Sequence, residues 1–233
     1  SCNVGLTVVT HTAGDRADLL ARCVDSVERQ LPPRAKHVII QTNDFARARI
    51  KSLDYDDIIV WVDDDDVVVN DSINQCYTHL INSDCHLAFT NQAYVDIDGV
   101  DTGRPQRYST PLTYSNLIEH PDVAHHLAMF KTDIISHAPR LSRKYQTGIC
   151  WITKVEAALK GGAIHIPITG YNWTQHPGNM SKHTSVTEPM RRNMRAIQAV
   201  MRGWNNEINQ AIPVANIDHT DRTPPISELT VRA

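Results

Sequence analysis

The chain has 233 residues, 41% of them hydrophobic and 21% charged, with a formal net charge of −3. These are ordinary globular values, so long disorder, collagen-like repeats and coiled coil are excluded as the main architecture. The charge balance gives no basic footprint for nucleic acid, and no apolar run approaches the ~18 residues of a membrane span.

The first half alternates strands and helices. Residues 4–9 (Val-Gly-Leu-Thr-Val-Val) are apolar and partly β-branched, and predict a buried strand. Asp15 is placed to cap a helix from Arg16, whose Leu20, Cys23, Val24, Val27 and Leu31 share one face before Pro32-Pro33 ends it. A second strand is predicted over 37–40, and Asn43-Asp44 opens a short helix through Leu53. Residues 58–62 (Ile-Ile-Val-Trp-Val) form a third strand that runs straight into Asp63-Asp64-Asp65-Asp66. Asn70 or Asp71 caps the next helix, with Ile73, Tyr77, Leu80 and Ile81 inward. This order argues for a parallel sheet with helices on its faces.

The second half is less regular. Strands are predicted at 86–96, 126–130 and 163–168, and a helix from about Trp151 to Gly161-Gly162. A long helix is predicted over 188–209, because Met190, Met194, Ile197, Met201, Trp204 and Ile208 are spaced 4-3-4-3-4. This stripe is expected to pack internally. The Pro- and Thr-rich tail reads as an irregular arm.

The five cysteines are odd in number and lack CxxC spacing, which points to a reducing compartment rather than a disulfide framework. The N-terminus has no basic region followed by an apolar stretch, so no signal peptide is read there. A cytoplasmic location, in a bacterium or a virus-infected host cell, is the expectation.

The run Asp63–Asp66 carries the chemistry. Adjacent carboxylates repel unless solvated or neutralised by a cation. A solvated acidic turn is the plain alternative. This run, however, sits at the carboxyl end of an apolar strand, where open α/β sheets place their ligands. Hard carboxylate oxygens suit Mg²⁺ or Mn²⁺, which commonly takes one or two carboxylates and completes its shell with water and substrate phosphate.

Four segments in order resemble the GT-A glycosyltransferases, close to glycosyltransferase family 2. They are VGLTVVTHTAGDRADLLARCVDSVERQ, NDFARARIKSL, WVDDDDV with its DxD-type motif, and GYNWTQHPGNMS. The resemblance spans about residues 4–183. It implies an α/β GT-A-like domain with a mixed, mostly parallel sheet over 1–210. A nucleotide-sugar and metal half covers 1–95, an acceptor half 96–187 and a C-terminal helix 188–210, with an irregular arm over 211–233.

The resemblance also assigns roles. Asp65 is the first choice for metal ligation, with Asp63 and His176 as further metal-side residues; Asn179 and Ser181 help hold the loop. Thr10, Thr12, Asp44, Arg47, Asp63 and Asp64 fall where the donor nucleotide is contacted. Trp151 and Trp173, with Tyr171, are candidates to stack on acceptor sugar. Inverting members usually carry an acidic base at the start of the acceptor-side helix, but that position here is Ile149-Cys150. Cys150 is not acidic, and Glu156, Asp122 or the pair His125-His126 are the candidate substitutes.

The reading is therefore a metal-dependent glycosyltransferase, inverting, using Mn²⁺ or Mg²⁺. It would move a sugar from a UDP-, GDP- or TDP-sugar to a hydroxyl acceptor such as a glycan. A nucleotidyltransferase is disfavoured because the first loop offers only Gly14 and Arg16. The lack of an acid at Cys150 favours a non-catalytic nucleotide-sugar-binding module. A phage- or viral-type DNA glycosyltransferase would set Arg191, Arg192, Arg195 and Arg202 against phosphates, and the negative net charge opposes it.

Overall fold

The computed structural model describes residues 4–105, 113–179, 187–208 and 214–216. The elements in chain order are β1 (Leu6–Thr12), α1 (Ala17–Glu28), β2 (Lys36–Gln41), α2 (Phe45–Ser52), β3 (Ile58–Trp61), β4 (Val67–Val68) and α3 (Ser72–Ile81). They continue with β5 (Leu87–Val95), α4 (Tyr114–Glu119), β6 (Ala128–Lys131), α5 (Ala138–Tyr145), α6 (Ile149–Gly161), β7 (Ala163–Thr174), α7 (Glu188–Ile208) and β8 (Val214–Asn216).

One mixed sheet runs β2-β1-β3-β6-β5-β7-β4, with β8 also on β7. Strands β1, β2 and β3 are parallel, β6 is antiparallel to both β3 and β5, and β5 and β7 are parallel. Parallel pairing brings the carboxyl ends of β1 and β3 side by side, with Val9 opposite Trp61. Both strands are buried throughout, as expected of a sheet covered on both faces.

Two apolar layers cover the sheet. On one face Val9, Ile59, Trp61 and Phe130 pack with α4, α5, α6 and α7, and Ile197 and Met201 of α7 are fully buried there. On the other face Val8, Val60 and Met129 pack with Cys23 and Val27 of α1 and with Ile73, Cys76 and Leu80 of α3. The methionine stripe of α7 thus faces this chain's own core, with Met194 and Trp204 packed against it. The side chain of Ile208 lies outside the described residues.

Several local expectations are corrected. Asp15 does not cap α1: Arg16 is the N-cap residue, with no side-chain cap bond, because its guanidinium reaches across to the aspartate run. Asp71 sits at the N-cap of α3 in left-handed geometry, but its carboxylate accepts from the Asn74 side chain rather than a backbone amide. Asp44 does cap α2, accepting from the amide of Arg47.

Strand β7 runs six residues past the predicted end at 168, through Gly170 to Thr174. A Cβ at Gly170 would lie 2.3 Å from Thr90 Oγ1, so only glycine lets β7 pass this close to β5. The short helices α4 and α5 fall where no helix is predicted. Val214–Asn216, within the predicted irregular arm, is a strand on β7; the rest of that arm lies outside the described residues.

Glu156 explains the placement of α5. Its carboxylate is fully buried and accepts from the backbone amides of Ser136 (2.9 Å), His137 (2.8 Å) and Ala138 (2.7 Å), and it pairs with Lys160. These are the orphan donors at the start of a helix, satisfied by a side chain from the neighbouring one. Burial alone would raise the carboxyl pKa. Lys160 and the three amides outweigh burial and hold it at about 2 instead of 4.5.

Glu156→Gln is therefore expected to destabilise the fold by about 2 kcal/mol at pH 7. Because the folded pKa is depressed, this stabilisation is complete above about 4.5 and fades as pH falls towards about 2. Urea unfolding of wild type and variant should show a gap that narrows from pH 6 to pH 3. A gap independent of pH would contradict the assignment.

Candidate donor and acceptor sites

The aspartate run follows β3 directly. The amide of Val62 still bonds to Val9, and the amide of Asp66 returns to the carbonyl of Asp63, so 63–66 form a tight turn. The turn sends its four carboxylates to different partners. Asp63 meets Arg49 Nη2 at 2.5 Å and His126 Nε2 at 3.5 Å. Arg16 forks between Asp64 and Asp65, at 2.7 Å to each. Asp65 also meets His176 Nε2 at 3.0 Å, with the Asn179 amide at 3.4 Å. Asp66 turns inward, accepting from the Tyr171 hydroxyl at 2.7 Å and the Thr174 amide at 2.8 Å.

Their proton affinities diverge accordingly. Burial would raise Asp63, but Arg49 and then His126 hold it well below the usual carboxylate range. Burial raises Asp64 despite Arg16. Burial, then the charges of Asp63 and Asp65, lift Asp66 well above its ordinary value. Asp66 is thus a structural group that fixes β7 to the turn.

Asp63, Asp64 and Asp65 line a cavity of about 220 Å³ with His11, Arg16, Arg49, His125, Trp173 and Asn179. A second cavity of about 590 Å³ adjoins it and shares Phe45, Arg49 and His125. Its remaining walls include Asp44, Cys150, Trp151, Met190 and Met194.

Among the described residues no group of three or more His, Cys, Asp or Glu is arranged to hold a metal. The residues present nevertheless suit a hard divalent ion that draws the rest of its shell from substrate. Asp65 and His176 are within 3.0 Å of each other, and the second oxygen of Asp64 is buried with no hydrogen-bond partner. One or two carboxylates with water and phosphate is the usual magnesium arrangement.

The predicted site residues fall into two sets. Asp63, Asp64, Asp65 and Trp173 line the smaller cavity. Asn179 lines it as well, and His176 approaches it through Asp65. Asp44, Cys150 and Trp151 line the larger one, although Trp151 is 5% exposed and its indole N–H donates to the Leu117 carbonyl. His125 lines both, whereas Thr10, Thr12, Arg47, Glu156 and Tyr171 line neither. Thr10 is buried with its hydroxyl on His37 Nε2 at 2.8 Å, and Thr12 accepts from the amide of Gly14 to hold the loop after β1. Arg47 is exposed on α2. Glu156 has both oxygens committed to α5. Tyr171 is fully buried on Asp66. Ser181 lies outside the described residues.

Three residues of the site were not singled out, or only in passing. Arg49 lies two positions after Arg47 and four after Phe45; that spacing places Arg49 and Phe45 on one face of α2, and both line both cavities. His11, between the two threonines, points to the opposite side of β1 from them. Arg16 gives no periodic signal, because its partners are 48 and 49 residues away. Cys150 stands in the first turn of α6, where Arg49 Nη1 donates to its sulfur at 3.0 Å. Burial raises that thiol, against the pull of Arg49, so it is protonated at neutral pH. On α7, Arg191 and Arg195 pair with the one Glu188 and Arg202 with Glu119, so two carboxylates offset part of this cluster's charge within the chain.

No protein-family model matches the sequence, and no curated protein sequence matches it. Solved structures do. S. aureus TarS 1–349 is similar with a TM-score of 0.56 at 13% identity, over 84% of this chain and 65% of that one. The same protein in complex with UDP-GlcNAc gives 0.57 at 13% identity, over 85% and 66%. The longer S. aureus TarS structure gives 0.55 at 12% identity, over 88% of this chain and 43% of that one. This chain thus spans just under two thirds of the length of TarS 1–349. The likeness establishes the GT-A fold expected from the sequence. No helix among the described residues is long and apolar enough to cross a membrane.

Arg49→Leu should strand Asp63 and cost about 1–3 kcal/mol. Arg47→Leu, on the exposed face of the same helix, should stay within about 0.5 kcal/mol of wild type. Equal losses in urea unfolding would contradict the distinction drawn between these two arginines.

Proposed function

We propose that the chain is a glycosyltransferase that moves a sugar from a nucleoside-diphosphate sugar to a hydroxyl acceptor in one inverting displacement. The observation that carries this reading is the row Asp63–Asp65 at the carboxyl end of β3. It faces a cavity ringed by Arg16, Arg49 and His125, in a fold shared with a protein solved with UDP-GlcNAc. The smaller cavity takes the donor and the larger one the acceptor, and the wall between them is where transfer occurs.

Asp65 and His176 are the residues that would hold Mg²⁺ or Mn²⁺, with Asp64 beside them. Bound there, the ion would offset charge on the departing diphosphate. Arg16, on Asp64 and Asp65, and Arg49, on Asp63, supply fixed positive charge next to that leaving group. Asn179 orients the Asp65 carboxylate.

The proton on the acceptor hydroxyl needs a recipient. Cys150, at the start of α6, is a protonated thiol and does not serve. His125 lines both cavities. Burial, then the neighbouring His126, Lys154 and Arg49, keep it well below the ordinary histidine value, so its ring is neutral at pH 7. A neutral imidazole at the junction is able to take the proton as the sugar transfers. Cys150 also favours a second reading, donor binding without transfer.

Titration calorimetry with UDP-, GDP- and TDP-sugars, in Mn²⁺, Mg²⁺ or EDTA, tests the donor site. One nucleotide sugar should bind with metal dependence and at least tenfold more weakly to Asp65→Ala. Slow hydrolysis of that donor, lost in His125→Phe, would support transfer; binding with no turnover would support the second reading. A folded protein that binds none of them would end the donor assignment.

A further inference from the structure

We propose that the acceptor hydroxyl is phenolic, carried on an aromatic body that fills the larger cavity, an inference that rests on the transfer reading above. That cavity holds about 590 Å³, an ordinary volume for a small-molecule site. Its apolar walls are Phe45 of α2, Pro121 of the loop between α4 and β6, Ile149 and Trp151 of α6, and Met190 and Met194 of α7. The stripe of α7 explains the two methionines. It is fully buried at Ile197 and Met201. Earlier on the same face it leaves the core: Met194 is partly buried against it, Met190 is half-buried, and both face the cavity.

The polar side chains do not match a sugar. Asn43, Asp44 and Gln146 are exposed, so they edge the cavity rather than line its depth. Asp44 also spends its carboxylate on capping α2. Arg49 donates to Asp63 and to the Cys150 sulfur. Among the described residues this leaves Thr147 and His125 as the polar side chains with groups to offer inside. A glycan carries hydroxyls around its whole rim, and burying each without a partner is costly. A flat apolar body with one hydroxyl needs a single polar contact, and His125, at the junction with the smaller cavity, supplies it.

The walls favour a ring over a linear chain. Phe45 lines both cavities, so a ring whose hydroxyl reaches the junction lies against it, in edge or offset-stacked contact. Methionine sulfur makes favourable contacts with aromatic rings, and its unbranched side chain adapts to a flat ligand. The chemistry agrees. A phenol has a pKa of about 10, as in tyrosine, so its proton passes to an imidazole more readily than that of a sugar hydroxyl. In the transfer the phenolic oxygen bonds to the anomeric carbon as that carbon's bond to the diphosphate breaks. The bonding pair leaves with the diphosphate, and the phenol's proton goes to His125.

The test uses the full chain with ¹³C-labelled methionine methyl groups, assigned by Met190→Leu and Met194→Leu. The probes are naphthol, octanol and methyl glucoside, each with the nucleotide sugar found by calorimetry and Mg²⁺. Naphthol should shift the Met190 and Met194 methyls through its ring current and leave that of Met129, buried in the opposite layer, in place. Mass spectrometry should find the naphthyl glycoside forming at least tenfold faster than the glycoside of either other probe. Met190→Gln should weaken naphthol binding at least fivefold while the donor binds as before. Unmoved methionine methyls, no naphthyl product, or octanol or methyl glucoside as the preferred acceptor overturns this inference and leaves the donor site standing. No donor binding by wild type overturns both.

Discussion

The structure depends on how four consecutive carboxylates are neutralised. Two unit charges 4 Å apart cost about 4 kcal/mol at an effective dielectric of 20, so a bare run at the end of a buried strand would not stay folded. The chain resolves this by spreading the aspartates over several elements. Asp63 goes to α2, Asp64 and Asp65 to the residue that opens α1, Asp65 also to the loop after β7, and Asp66 into the end of β7. The turn is thus the hub that holds α1, α2 and β7 in register. Its charge is matched inside the protein by Arg16 and Arg49, and a ligand with phosphates and a cation would re-partition contacts already present.

Topology makes this possible. Parallel pairing of β1 with β3 puts the loop after β1 and the aspartate turn at one end of the sheet. The glycine-permitted extension of β7 then brings Tyr171, Thr174, His176 and Asn179 across from the far half of the sequence. Without the close pass at Gly170, the segment would end near the predicted 168 and Asp66 would have no partners.

Much of this was legible in the sequence, and what was missed shares a physical cause. The alternation of short apolar strands with one-faced helices gave the fold, because each pattern is local. The aspartate run announced itself through charge density after a strand. The partners did not, because Arg16 and Arg49 look like any exposed helix arginine until the partners 14 to 49 residues away are brought in. The resemblance points to Thr10 and Thr12, whereas strand alternation gives His11 the opposite face. Glu156 was a candidate base because a carboxylate was needed near Cys150. It is instead the cap of α5, a helix too short and polar to be seen in advance.

Arg49 connects the two cavities. One guanidinium donates to Asp63 on the donor side and to the Cys150 sulfur at the start of α6 on the acceptor side. A family member with a carboxylate at the Cys150 position would give this arginine two anions. Here it has one anion and a neutral thiol, so its charge leans towards the donor turn. The thiol of Cys150 and the commitment of Arg49 to Asp63 are then one electrostatic arrangement. His125, the base in the proposed transfer, borders both cavities. In the proposed transfer the base does not come from α6. It follows from what the loop 121–126 brings to the junction, and Lys154 fixes that loop by donating to the carbonyls of Pro121 and Val123.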